Sequence, residues 1–125
     1  MVVRMRHLFA PFALIAIVAV TVAAQREAPK PPPATPLRYT DVKPVFEKHC
    51  AGCHDVRRGK NPGAQAVFEM SGGYPFTTKR PGTLLEGLRH MFEKRGSLSS
   101  DEKWLGVSWI HGGALDADGK PPVWR

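Results

Sequence analysis

Cys50 and Cys53 are the only cysteines of the chain, and they stand in the run Cys50-Ala51-Gly52-Cys53-His54. This run constrains the fold more than any other feature of the sequence. Two thiols at this spacing can close a disulfide, act as a redox pair, hold half of a zinc site, or form thioether bonds to the two vinyl groups of a haem. For the last, their separation on one helical turn roughly matches the spacing across the porphyrin edge, and His54 then lies against the iron. Ala51 and Gly52 are small enough to let the backbone pass close to a ring. A thioredoxin-like pair needs a strand-helix-strand setting that the sequence does not offer. A zinc site would have to complete its four ligands from His49, His54, His90 and His111. The motif therefore points to one covalently attached haem c, with His54 as proximal iron ligand.

The N-terminal residues agree with export. Arg4, Arg6 and His7 precede an uncharged, mostly apolar run from Leu8 to Ala24, which ends in small residues that suit signal peptidase. The run also reaches the lower limit for a membrane span, so residues 1–24 read as a signal peptide or a signal anchor. A periplasmic protein follows, soluble or anchored to the cytoplasmic membrane. Residues 25–37 turn to Pro, Ala, Lys and Glu, the composition of an extended polyproline II tether. Residues 38–125 remain for one small domain, whose marginal core would gain from a large apolar cofactor.

Eighteen lysines and arginines against 11 aspartates and glutamates give a net charge of +7, to which Arg4 and Arg6 of the leader contribute. This balance suits acidic protein partners. The basic residues are scattered from Arg38 to Arg125, with no cluster longer than a pair such as Arg57-Arg58, which argues against nucleic acid as a partner.

The element pattern is helical. Thr40 as N-cap opens a helix whose Val42, Val45, Phe46 and Cys50 share one face, with Pro44 at the edge of the first turn. Asp55 to Pro81 is rich in Gly and Pro and, apart from a brief helical period at Ala64 to Met70, reads as loop. A loop of that length makes sense if it wraps something. Thr83 with Glu86 and Ser99 with Glu102 are capping boxes for two more helices, stopped by Gly96 and by Gly112-Gly113. No alternating strand pattern occurs, so the fold class is all-α, three to four helices around one covalently bound haem.

The stretch Tyr39-Thr40-Asp41-Val42-Lys43-Pro44-Val45-Phe46, leading into the Cys50 to His54 motif, resembles the N-terminal helix and haem motif of bacterial class I cytochromes c. Leu98-Ser99-Ser100-Asp101-Glu102, followed by Trp109-Ile110-His111-Gly112-Gly113-Ala114, is similar to the C-terminal helix of planctomycete-type monohaem cytochrome c domains. The resemblance spans about Leu37 to Leu115. It implies the cytochrome c fold, in which the first and last helices cross, with Phe46 against Trp109 as the expected contact. It also implies a distal methionine just before the loop that opens the last helix. Met91 fills that place and shares an apolar stripe with Leu84 and Leu88, although Phe92-Glu93 follows it where the family usually has prolines. Met70 is the alternative, and His90 and His111 complete the candidates.

Among the remaining polar groups, Pro62 is a candidate to offer its carbonyl to the second nitrogen of His54, with a plain turn at Asn61-Pro62-Gly63 as the alternative. Arg57, Arg58 and Lys60 are candidates to pair with a haem propionate, and Tyr74, Trp104 and Trp124 to touch the haem edge. Asp116, Asp118 and Gly119 read as a turn, because the bidentate acidic residue of a calcium loop is missing. The expected function is one-electron transfer in a periplasmic or membrane-associated chain, with acidic redox partners and no substrate transformed. The alternative is a haem-containing oxidoreductase subunit or gas sensor with an open or labile distal site.

Overall fold

In the computed structural model, which describes residues 28–125, five helices follow one another: α1 (Tyr39–His49), α2 (Ala51–His54), α3 (Pro62–Val67), α4 (Pro81–Lys94) and α5 (Ser100–His111). Extended pairing among the described residues is confined to two isolated bridges, Arg38 with Leu115 and Glu69 with Thr77, so the domain is all-α. The leader expected at residues 1–24 lies outside the described residues. No described helix is long and apolar enough to cross a membrane.

Two helix starts differ from expectation for local chemical reasons. Arg38, not Thr40, caps α1, because the Asp41 carboxylate reaches back to accept from the Arg38 backbone N–H at 2.7 Å. Helix α4 begins at Pro81, whose ring presets φ and whose missing N–H costs nothing in a first turn; Thr83 and Glu86 therefore fall inside the helix. Ser99 and Glu102 do form their reciprocal box: Glu102 N–H donates to Ser99 Oγ at 3.2 Å, and Ser99 N–H to Glu102 Oε2 at 2.8 Å. The segment expected to be loop contains α3. Asn61 Oδ1 opens it by accepting from Ala64 N–H at 3.1 Å, with Pro62 in its first turn.

Helices α1 and α5 cross antiparallel and are pinned at both ends. At one end the Leu115 carbonyl accepts from Tyr39 N–H at 2.8 Å and from Trp109 Nε1 at 3.0 Å. At the other, Glu102 Oε1 meets Lys48 Nζ at 2.8 Å and His49 Nε2 at 3.0 Å. Between the pins, fully buried Phe46 and Trp109 meet edge to face, centroids 5.7 Å apart and planes at 80°, which is the contact expected from the resemblance. Phe46 also meets Phe92 of α4 at 5.5 Å, so a single ring ties three helices together. Helix α4 comes so close to α5 that a Cβ on Gly106 would lie only 2.3–2.5 Å from carbons of the Phe92 ring.

The proline-rich segment is docked where it is described. Lys30 Nζ pairs with Asp101 at 3.0 Å and stands 4.5 Å over the Trp104 ring, and Trp104 Nε1 donates to the Pro31 carbonyl at 3.1 Å. Trp104, a candidate for a haem edge in the sequence, is engaged by the linker. Trp124 packs edge-on against Tyr74 at 5.8 Å. Asp116 Oδ1 accepts from the N–H groups of Asp118 and Lys120, the turn expected there.

Two outcomes follow. Alanine at an uncrowded helix interior is better than glycine by about 1 kcal/mol. At Gly106, overpacking against Phe92 should reverse that sign and lower stability by about 1–3 kcal/mol, as read by urea unfolding of G106A. The second concerns acid. The Lys48 ammonium, then the Ser99 N–H and His49, hold the Glu102 carboxyl at about 2, below its ordinary 4.5. Since the folded value is the lower one, its contribution is complete above about pH 4.5 and fades as pH falls toward 2. Stability measured across that window should fall less steeply in Glu102→Gln than in the parent, and identical slopes would contradict this role.

Candidate cofactor site

Cys50 ends α1 and begins α2: its N–H donates to the Phe46 carbonyl at 2.8 Å, while its own carbonyl accepts from Cys53 N–H at 3.1 Å and His54 N–H at 2.9 Å. The long helix thus hands the chain to a single turn that carries both thiols and the imidazole. Both thiols are unbridged, Cys50 buried and Cys53 exposed. Burial pushes the Cys50 thiol up to about 11, so Cys50 itself is not an activated thiolate.

His54 is held from several directions. Its Nδ1 lies 3.0 Å from the Phe68 carbonyl. A carbonyl can only accept, so Nδ1 carries a proton, and in the neutral ring the lone pair then lies on Nε2. The Phe68 ring stacks on the imidazole, centroids 3.8 Å apart and planes within 9°. Met70 N–H donates to the His54 carbonyl at 2.9 Å. Glu69, between them in sequence, accepts on Oε1 from Val56 N–H at 3.0 Å and Ser71 N–H at 2.9 Å, and on Oε2 from Ser71 Oγ at 2.6 Å. Burial pushes the Glu69 carboxyl up, but these hydrogen bonds outweigh it and hold the group below its ordinary range. Buried Asp55 accepts from Arg57 Nε at 2.9 Å and Nη2 at 2.6 Å, and the guanidinium holds its carboxyl at about 2.

A cavity of about 720 Å³ is lined by residues of α2, α3 and α4, a size ordinary for a cofactor pocket. Cys50, His54 and Phe68 meet it from the motif side, and Leu84, Leu88 and Met91 from α4. Gly87, in the middle of α4, also lines it. Glycine there costs the helix about 1 kcal/mol relative to alanine, yet a Cβ at Gly87 would meet no atom within 4 Å. Packing within the domain does not require glycine at this position.

Several site residues expected from sequence fall elsewhere. The carbonyl facing His54 Nδ1 belongs to Phe68 and not to Pro62, which sits exposed at the start of α3. Met70 lines a different pocket, with Tyr39 and Asp55, so of the two methionines Met91 alone shares the cavity with His54. His90 lines that cavity too, and His111 is exposed at the end of α5. Arg57 is occupied by Asp55, and the arginines that line the cavity are Arg80, Arg89 and Arg95, which no local sequence signal singled out. His49 is engaged with Glu102, and among the described residues no three His, Cys, Asp or Glu side chains converge as a zinc site requires. Comparison of the chain with protein-family models, with curated proteins and with solved structures finds no match.

Proposed function

We propose that the cavity holds one haem c, attached through Cys50 and Cys53 and ligated by His54, and that the protein is an exported monohaem cytochrome with the cytochrome c fold that carries single electrons. The observation that carries this reading is a convergence. Cys50 and His54 of the C-x-x-C-H run both line the cavity, and the Phe68 carbonyl leaves His54 the tautomer that a metal ligand needs, with Nε2 as donor.

The residues that line the cavity fit such a group, while Cys53 stands exposed outside that lining. Phe68, Leu84 and Leu88 supply apolar wall, and the bare Gly87 backbone leaves room for a flat ring. In this reading Met91, half-buried on the same cavity, would supply the second ligand, a soft thioether. Bound haem supplies a one-electron ferric-ferrous couple. The chain's own part is to exclude water from that group, orient His54 through the Phe68 carbonyl, and place Arg80, Arg89 and Arg95 at the cavity. Those arginines favour an acidic redox partner and make its association rate fall with salt.

Expression with haem-attachment machinery, followed by absorption spectra in both oxidation states and intact mass, tests the proposal. A haem c spectrum with the mass of one covalent haem is expected. Its absence would sink the reading. In Met91→Ala the weak red methionine-to-iron band should vanish and carbon monoxide should bind the ferrous form; an unaltered spectrum would move distal ligation to His90. Rapid carbon monoxide binding by the parent would instead favour an oxidoreductase subunit or gas sensor. Gly87→Leu fills the cavity from α4 and should lower the fraction of chains carrying haem several-fold while helical content, read by circular dichroism, is retained.

A further inference from the structure

Three contacts in register join residues 54–56 to residues 68–70. His54 Nδ1–H donates to the Phe68 carbonyl at 3.0 Å, Met70 N–H donates to the His54 carbonyl at 2.9 Å, and Val56 N–H donates to Glu69 Oε1 at 3.0 Å. The first two depend on how the backbone of 68–70 lies against the α2 turn. The third is the one contact of the three made by a side chain that carries charge. Its carboxylate gathers Val56 N–H, Ser71 N–H and Ser71 Oγ onto two oxygens, which ties the segment after His54 to the segment that presents the Phe68 carbonyl. On the far side the same segment pairs with Thr77, at 2.8 Å and 3.2 Å. Asp55, the neighbouring carboxylate, is occupied by Arg57 and shares none of these donors.

From this arrangement we infer that Glu69 is a positioning residue for His54: it fixes the Phe68 carbonyl against Nδ1–H and thereby sets the tautomer and donor strength of Nε2. The inference rests on the proposed ligand role of His54 for its consequence, but not for its geometry. A side chain that accepts three hydrogen bonds from two segments holds them at a fixed spacing, and losing its acceptor oxygens leaves those donors without a partner. An imidazole whose Nδ1–H is held by an acceptor is a more basic ligand, which favours the higher oxidation state of a bound metal. Glu69 touches neither the cavity nor His54 itself and acts through the backbone of Phe68 and Val56.

The test compares Glu69→Gln, which keeps an acceptor oxygen at the same place, with Glu69→Ala, which removes it. The first readout is exchange of the His54 Nδ1 proton with water, followed by nitrogen-15 NMR on the full chain as purified. Exchange should be about tenfold faster in E69A than in the parent, the loss of one hydrogen bond's worth of protection, and close to the parent in E69Q. Unchanged exchange in E69A would overturn the inference. The second readout is reduction potential of the haem-loaded chain, which should rise more in E69A than in E69Q. Equal rises would show that only the lost charge matters and would also overturn it. If E69A does not fold, Ser71→Ala removes the Oγ donor alone and should accelerate the same exchange to a smaller extent, with no acceleration counting against the inference. A parent chain without haem would defeat the proposed function while the exchange readout still judged Glu69.

Discussion

The edge-to-face contact of Phe46 with Trp109 is the interaction on which the remaining geometry depends. Each ring is fully buried, worth roughly 1.5–3 kcal/mol of apolar burial per large side chain, and their mutual geometry adds about 0.5–1.5 kcal/mol. What matters more is where the contact sits. Phe46 lies one turn before Cys50, so fixing Phe46 against α5 fixes the place where α1 releases the chain into the Cys50 to His54 turn. The pins at Leu115 and Glu102 remove the remaining freedom, since they hold opposite ends of the same crossing. Phe92 then carries the constraint to α4, and with it Leu84, Leu88 and Met91 to the cavity.

The long segment between α2 and α4 is held by other means. It buries few aliphatic side chains and is rich in Gly and Pro, so hydrophobic periodicity cannot order it. Carboxylates and rings do so instead. Asp55 and Glu69 each collect backbone N–H groups along with their side-chain partners, which satisfies donors that a loop would otherwise leave to water. Phe76, fully buried, meets Tyr39, Phe46 and Phe68, and Tyr74 stacks on Tyr39 at 4.6 Å. The segment is therefore sewn to α1 by aromatic faces and to α2 by hydrogen bonds. A loop expected to wrap something is already well ordered where it meets His54.

The sequence made legible whatever depends on neighbours within a helical turn. The Ser99–Glu102 box, the Phe46 and Trp109 faces and the Cys50 to His54 spacing are of this kind. Thr40 and Thr83 were misleading because a competing local signal lay beside each: Asp41 reaches back to Arg38, and Pro81 starts its helix outright. The partner of His54 was not legible for a different reason. Pro62 and Phe68 are both downstream carbonyls, and choosing between them requires knowing that residues 62–67 coil into α3 and return the chain at Phe68. Arg57 illustrates the reverse error, since its assignment to a distant anion overlooked the carboxylate two residues away. Arg80, Arg89 and Arg95 carry no local sequence signal, and only the placement of α4 and its flanks on the same cavity as His54 makes them cavity residues.

The docked linker and the cavity occupy different parts of the molecule. Lys30 and Pro31 engage Asp101 and Trp104 of α5, whereas no α5 residue lines the cavity beside His54. The segment that leads back toward the N-terminus is therefore held on one helix while the arginines at the cavity belong to another and to its flanks. Of the arginines that line the cavity, Arg89 pairs with Glu93 of its own helix at 3.0 Å. The arginines around the cavity are not shared with the tether's one described ion pair, Lys30 with Asp101, so an acidic partner approaching the cavity competes with none of the contacts that seat the linker.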